Sequence, residues 1–258
     1  MANTSDATPW VRALRASHDR LSGIVAGLDG EGLRAQSYDT EWSVADVLSH
    51  LGSGAEIFSL YIEAGVTGGD QPGPEAFKPI WDTWNARSPE EQAAQSVAVN
   101  EALVARAESL TPEERAAFHV LMFGRMPADL AAVLGMRLSE HALHAWDIEV
   151  TLDPAAKVAQ DAVDLLVDRL PMMVGFMSKQ APAPVAVAVT TSAPERAYTL
   201  DTGGVTLSPA GVGDSPTASL ALPAEALLRL VYGRLDGEPG LQASGVTLTE
   251  LKSVFPGF

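Results

Sequence analysis

The sequence predicts an α+β protein: an N-terminal antiparallel bundle of helices over residues 1–180, then a small α+β domain over residues 181–258. Three observations predict it. Apolar residues recur at helical spacing through the first part and at strand spacing in the second. Composition shifts between the two: all five His and all five Trp lie at or before Trp146, and eight of the 17 Pro lie from Pro182 onward. Residues 178–184 (SKQAPAP) read as a linker, because Pro cannot continue a helix and restricts the residue before it.

In the first part the helix starts are written in the sequence. Thr8-Pro9 opens one, with Pro at a position that has no helical N–H bond to lose. Val11, Leu14, Leu21, Ile24, Val25 and Leu28 follow at helical spacing. A second begins at Ser43, which pairs with Asp46 as a capping box, while Trp42 can staple onto Val47. It should run to about residue 64, and the Gly/Pro-rich residues 65–79 read as a loop. Ser88-Pro89-Glu90-Glu91 starts a third helix, to about residue 110, and Thr111-Pro112-Glu113-Glu114 a short one. Pro127 opens a long helix to about residue 150; Asp153-Pro154 opens another, perturbed at Pro171. Short links favour antiparallel neighbours, hence a bundle. Beyond the linker, residues 185–189, 196–201, 205–207 and 219–222 read as strands. Asp201-Thr202-Gly203-Gly204 forms a hairpin turn, and a helix covers about 224–235.

Composition excludes several classes. Asp plus Glu is 33 against 17 Lys plus Arg, a formal charge of −16. That disfavours nucleic acid and anionic membrane surfaces as partners. The N-terminal residues lack the basic patch and apolar run of a signal peptide, and no stretch of ~18 uninterrupted apolar residues occurs. A cytoplasmic protein, monomer or homodimer, is expected. There is no cysteine, so sulfur chemistry here requires a small-molecule thiol.

Helical geometry brings three ligand-type residues inward. At 100° per residue with Val47 as zero, Leu51, Phe58 and Ile62 lie between about +20° and +60°, and His50, at about −60°, falls between Ile57 and Tyr61 on the same inward arc. With Arg137 as zero, His144 lies near about −20°, between Leu130, Ile148 and Val133; Glu140 is near about −60° and His141 near about +40°. Glu140 and His144, four apart, are neighbours on one face. Two inward His and one inward Glu can form a three-ligand metal site with open positions, as catalytic zinc requires. Plainer readings stand beside this one. An inward His can be a hydrogen-bonded core residue. Glu140 and His144 can be a surface pair. The row Arg137, Glu140, His144, Asp147 can be a solvated face. His141 is a competing ligand.

Other motifs carry less. Gly203-Gly204 fits a turn better than a phosphate cradle, and no phosphate loop or dinucleotide fingerprint occurs in a strand-turn-helix context. Ser139 lacks the strand-to-helix elbow of a serine hydrolase. Met122, Met126, Met136, Met172, Met173 and Met177 read as core filler. Arg229 and Arg234, in the apolar LLRLVYGRL run, are candidates for binding a substrate carboxylate.

WSVADVLSHL (42–51) and EHALHAWDI (140–148) resemble the signatures of the DinB-like, mycothiol-dependent maleylpyruvate isomerase family. Those signatures are a Trp before a helix that ends in His-Leu, then Glu-x-x-x-His with Asp and an aliphatic residue shortly after. LLRLVYGRLDG resembles the sterol-carrier-like C-terminal domain that such proteins often have. The resemblance implies a DinB-type four-helix domain and a metal, usually zinc, held by His50, Glu140 and His144. It also implies mycothiol, or another low-molecular-weight thiol, as co-substrate. His141 then stands as a neighbour of the ligand set. The expected function is cis–trans isomerisation or S-transfer on a small anionic or unsaturated substrate. A metal-hydroxide hydrolase on the same ligands and a non-catalytic small-molecule or lipid-binding protein are the alternatives.

Overall fold

The computed structural model describes residues 6–211 and 214–257. The chain divides into two compact units, Met1–Ala162 and Val163–Phe258. This division precedes the linker expected at residues 178–184. Val163, Leu166, Leu170 and Val174 are buried, and the helix carrying the last two packs on the sheet of the second unit, so this stretch shares its core with the strands.

The first unit contains α1 (Thr8–Ala26), α2 (Gly30–Arg34), α3 (Val44–Thr67), α4 (Pro74–Asn85), α5 (Pro89–Ser109) and α6 (Pro112–Ala117). A small hairpin follows, β1 (Val120–Met122) and β2 (Met126–Ala128), and then α7 (Leu130–Leu152). The four longest helices pack pairwise: α1 on α5 and α7, and α3 on α5 and α7. Leu21, Leu33, Val44, Val47, Leu48, Leu51, Ala93, Ala145 and Ile148 join five of the helices in one apolar cluster, against which Trp42 packs. The capping boxes are real. Ser43 and Asp46, Ser88 and Glu91, and Thr111 and Glu114 each exchange side-chain and backbone bonds.

Three local expectations are corrected. Residues 65–79 are not all loop: α3 runs on to Thr67, capped by the left-handed Gly68, and α4 begins at Pro74. Pro is tolerated in a first helical turn, and buried Phe77 and Trp84 anchor α4 to the core. Pro127 does not open the long helix. It pairs with Leu121 in the hairpin, and Asp129 caps α7 by accepting from the Ala132 N–H at 2.8 Å. Asp153-Pro154 forms a turn; the next helix is α8 (Gln160–Leu166), and Pro171 sits in the first turn of α9 (Leu170–Met177).

The second unit is a five-stranded sheet in the order β5-β4-β3-β6-β7. Its strands are β3 (Ala186–Ser192), β4 (Arg196–Asp201), β5 (Thr206–Pro209), β6 (Ala218–Pro223) and β7 (Gln242–Ser244). Only the β3–β6 pair is parallel. Val187, Val189, Tyr198, Leu200, Leu207, Leu220 and Leu222 alternate inward, which is how one sheet face is buried. Helix α9 packs on β5, and α10 (Ala224–Val231) packs on β3, β6 and α9. A last helix, α11 (Leu248–Val254), and β7 were not legible as elements. No helix among the described residues is long and apolar enough to cross a membrane.

One glycine controls how α3 meets α4. The Trp84 indole, fully buried, lies directly on the α3 backbone at Gly52, where a Cβ would overlap its ring. Trp84 is fixed there, its Nε1–H donating to Glu56 at 2.9 Å and the Arg87 guanidinium stacked 3.8 Å from the ring. Gly52→Ala is therefore expected to cost about 1–3 kcal/mol of folding stability. Gly23→Ala on α1, where a Cβ meets nothing within 4 Å, should gain about 0.5–1 kcal/mol. Denaturant melts of the two variants check the contrast.

Candidate metal centre

The capping box at Ser43 sets the phase of α3 and turns His50 toward α7. The Asp129 cap sets the phase of α7 and turns Arg137, Glu140, His144 and Asp147 inward as one row. The two helices pack together, and three side chains meet. His50 Nε2 donates to Glu140 Oε2 at 3.1 Å, and His144 Nε2 is 3.7 Å from the same oxygen. One ligand atom from each residue lies within 4.8 Å of the others. A tetrahedral ion with ligand bonds of ~2.0–2.1 Å needs ligand atoms ~3.3 Å apart. The two measured spacings bracket that value.

Electrostatics suit a cation. Burial pushes the Glu140 carboxyl up, but the His50 hydrogen bond and the fields of His144, His50 and Arg137 outweigh it and bring it to about 2. Burial pushes His144 below its ordinary value, against the pull of its hydrogen bond to Asp147. A neutral imidazole and an ionised carboxylate are the forms that bind metal. Asp147, fully buried, accepts from His144 Nδ1–H at 2.8 Å. That bond puts the proton on Nδ1 and leaves the Nε2 lone pair facing Glu140, the orientation that carboxylate partners give to metal-binding imidazoles. Trp42 forms a wall, its ring centroid 5.1 Å from that of His50 and 5.8 Å from that of His144.

The family model described as the mycothiol maleylpyruvate isomerase N-terminal domain matches residues 14–149. The chain belongs to this family. Two solved structures share its fold. They are a mycothiol-dependent maleylpyruvate isomerase, at 15% identity, and a single-site mutant of a mycothiol-dependent maleylpyruvate isomerase, at 14%. Each has a TM-score of 0.70, and each alignment covers 95% of both chains. No curated protein matches the sequence.

Within this family fold, several residues stand differently from the sequence reading. The row on α7 is not a solvated face: Arg137 is 1% exposed and Asp147 is wholly enclosed. His141 stays outside the cluster. It points to α1, with Nδ1 2.8 Å from Ser17 Oγ and its ring 6.3 Å from that of His18, and burial holds it well below its ordinary value. Ser139 Oγ is spent on the Met136 carbonyl at 2.8 Å. Gly203 and Gly204 form the β4–β5 turn, where the Gly203 N–H donates to Asp201. Met122 and Met177 are core, whereas Met172 is exposed. In the second unit, Arg229 is clamped by Glu225 at 2.7 Å and 3.0 Å and touches Glu238 at 3.4 Å; Arg234 donates to the Tyr232 carbonyl at 2.9 Å.

A second group that could hold an ion, His18, Asp19 and Glu101, is a poorer one. The Glu101 carboxylate is already bidentate to Arg15, which also binds Glu108. The sequence reading missed the parts played by Asp147 and Trp42. Asp147 had a signal, since it lies three residues beyond His144 on the same face. Trp42 had its place beside the cap and at the head of the family signature. Asp147→Ala leaves a buried imidazole donor without its acceptor. It should destabilise the metal-free protein by about 1–3 kcal/mol in chemical denaturation; a change under about 0.5 kcal/mol would mean that water replaces the carboxylate.

Proposed function

We propose that this protein is a metal- and thiol-dependent enzyme of the maleylpyruvate isomerase type, with zinc held by His50, Glu140 and His144. The observation that carries the reading is the convergence of two imidazoles and one ionised carboxylate, with Asp147 already orienting one imidazole. A zinc ion held by these three residues would supply the charge that keeps an exogenous thiol ionised at neutral pH. The chain supplies no thiol of its own, in keeping with mycothiol or a similar small thiol as co-substrate.

The residues have definite tasks. Glu140 contributes negative charge, and His144 presents its Nε2 lone pair. His50 would offer its Nε2 lone pair as the Nδ1–H tautomer, in place of the Nε2–H that it now gives to Glu140. Trp42 shields one side of the two rings. The substrate class that fits is a small, anionic, conjugated cis-alkene. Thiolate addition makes its double bond single, rotation follows, and expulsion of the thiolate returns the trans isomer. A transferase would stop at the adduct. Arg229 and Arg234, both in the second unit, are proposed as carboxylate-binding groups. For Arg229 this requires exchange of Glu238, the longer of its carboxylate contacts. The reading also takes the first unit as a DinB-type four-helix bundle and the second as sterol-carrier-like. A cytoplasmic monomer or homodimer acting on small molecules completes it.

Elemental analysis of untagged protein tests the metal. Near one zinc per chain is expected in the wild type and little in His50→Ala and His144→Ala, with circular dichroism unchanged. Equal, negligible metal in all three would overturn the reading. Turnover of a cis-unsaturated oxo-diacid should then depend on added thiol; thiol-independent hydrolysis would assign the site to another reaction. Arg234→Gln should raise KM at least several-fold and leave the zinc content unchanged.

A further inference from the structure

The turn of α3 that carries His50 is gripped from several sides. Ser53 Oγ donates to the His50 carbonyl at 3.0 Å. The Leu51 carbonyl, one residue on, accepts from Arg137 Nη2 of α7 at 2.7 Å and from Asn100 Nδ2 of α5 at 3.4 Å. Arg137 Nη2 also donates to Asn100 Oδ1, while Asn100 Nδ2 reaches back to the Ser96 carbonyl at 2.8 Å. At Gly52 the Trp84 indole closes the third side. One guanidinium thus ties α7, the helix of Glu140 and His144, to the turn that bears His50, and both to α5.

Arg137 is an unusual choice for a mere filler. It is 1% exposed, its Nε has no hydrogen-bond partner, and no carboxylate lies within ion-pair distance among the described residues. A buried cation without a paired anion is costly, and an apolar side chain of similar length would fill the space without that cost. The backbone of α3 is adapted to it: a Cβ on Gly54 would stand only 2.8 Å from Arg137 Nη1. Among the ionisable groups, Glu140, one turn along the same helix, is the anion whose field favours the charged guanidinium.

Resting on the metal reading above, we infer that Arg137 is a positioning residue: through Leu51 and Asn100 it holds the His50 turn at the distance from Glu140 and His144 that a metal ion requires. Two physical roles of Arg137 predict opposite signs. As a charge alone, it repels a dication, so its removal tightens binding. As a clamp, it holds the ligands in place, so its removal weakens binding.

The test is Co²⁺ titration of the full-length chain, read by the visible ligand-field spectrum and by competition with a chelator. Wild type is compared with Arg137→Met, Asn100→Leu and Gly54→Ala, and thermal melts of the metal-free proteins serve as the stability control. Gly54→Ala displaces the guanidinium but keeps its charge and every ligand. Expected are about tenfold to hundredfold weaker binding in Arg137→Met, a smaller loss of the same sign in the other two, and an altered Co²⁺ spectrum. Should Arg137→Met fail to fold, the other two variants decide. Wild-type binding with equal or tighter affinity in the folded variants overturns the clamp and leaves the metal site standing. No Co²⁺ binding by wild type overturns the metal reading, and the clamp with it.

Discussion

Four ionisable side chains, Arg137, Glu140, His144 and Asp147, form one row on α7; Arg137 and Asp147 are fully buried and must find in protein the partners that water would supply, while Glu140 and His144 keep part of their surface open. Most of the first unit can be understood from that constraint. Asp147 is matched by His144, and Glu140 by His50. Arg137 is matched by a backbone carbonyl of α3 and an amide of α5. His144 and Asp147 pair within α7, but the partners of Glu140 and Arg137 come from α3 and α5, so the row cannot be satisfied by α7 alone. It fixes how α3 and α5 must stand around it. The apolar cluster of Leu21, Val47, Leu48, Leu51 and Ile148 supplies the driving force, while the polar row supplies the register.

That arrangement also explains the small residues of α3. Gly52 admits the Trp84 indole and Gly54 admits the Arg137 guanidinium. Both lie within a turn or so of His50. Glycine weakens a helix interior, and α3 carries the weakness where large neighbours must come close to its backbone. Local stability is given up at the turn where the ligand needs a rigid, crowded seat.

The second unit follows a simpler rule. Alternating apolar residues bury one sheet face, and α9 and α10 pack on the strands. Its ion pairs at Arg196 and Lys252 are on the surface, whereas Arg229, between Glu225 and Glu238, is nearly buried. The two carboxylates balance the guanidinium's charge where water is scarce.

The sequence by itself determined the helix starts that carry a capping box, at Ser43, Ser88 and Thr111, because such a box is a contact between residues three apart and needs nothing from the rest of the chain. It set the phase of His50, Glu140 and His144 on their own helices, since helical phase is a local quantity, and it marked the change from helical to strand period. Tertiary structure decided the rest. Whether the α7 row met solvent or core depended on what α3 and α5 brought opposite it. His141, as inward as His144 by phase, went to Ser17 on α1, and only packing could make that choice. Helix α4 and the hairpin at Pro127 escaped the local reading because buried Phe77 and Trp84, and strand pairing, outweighed the Gly and Pro signals around them. The division between units fell before the proline-rich segment because the buried side chains at residues 163–174 joined the sheet's core, a preference that no local pattern records.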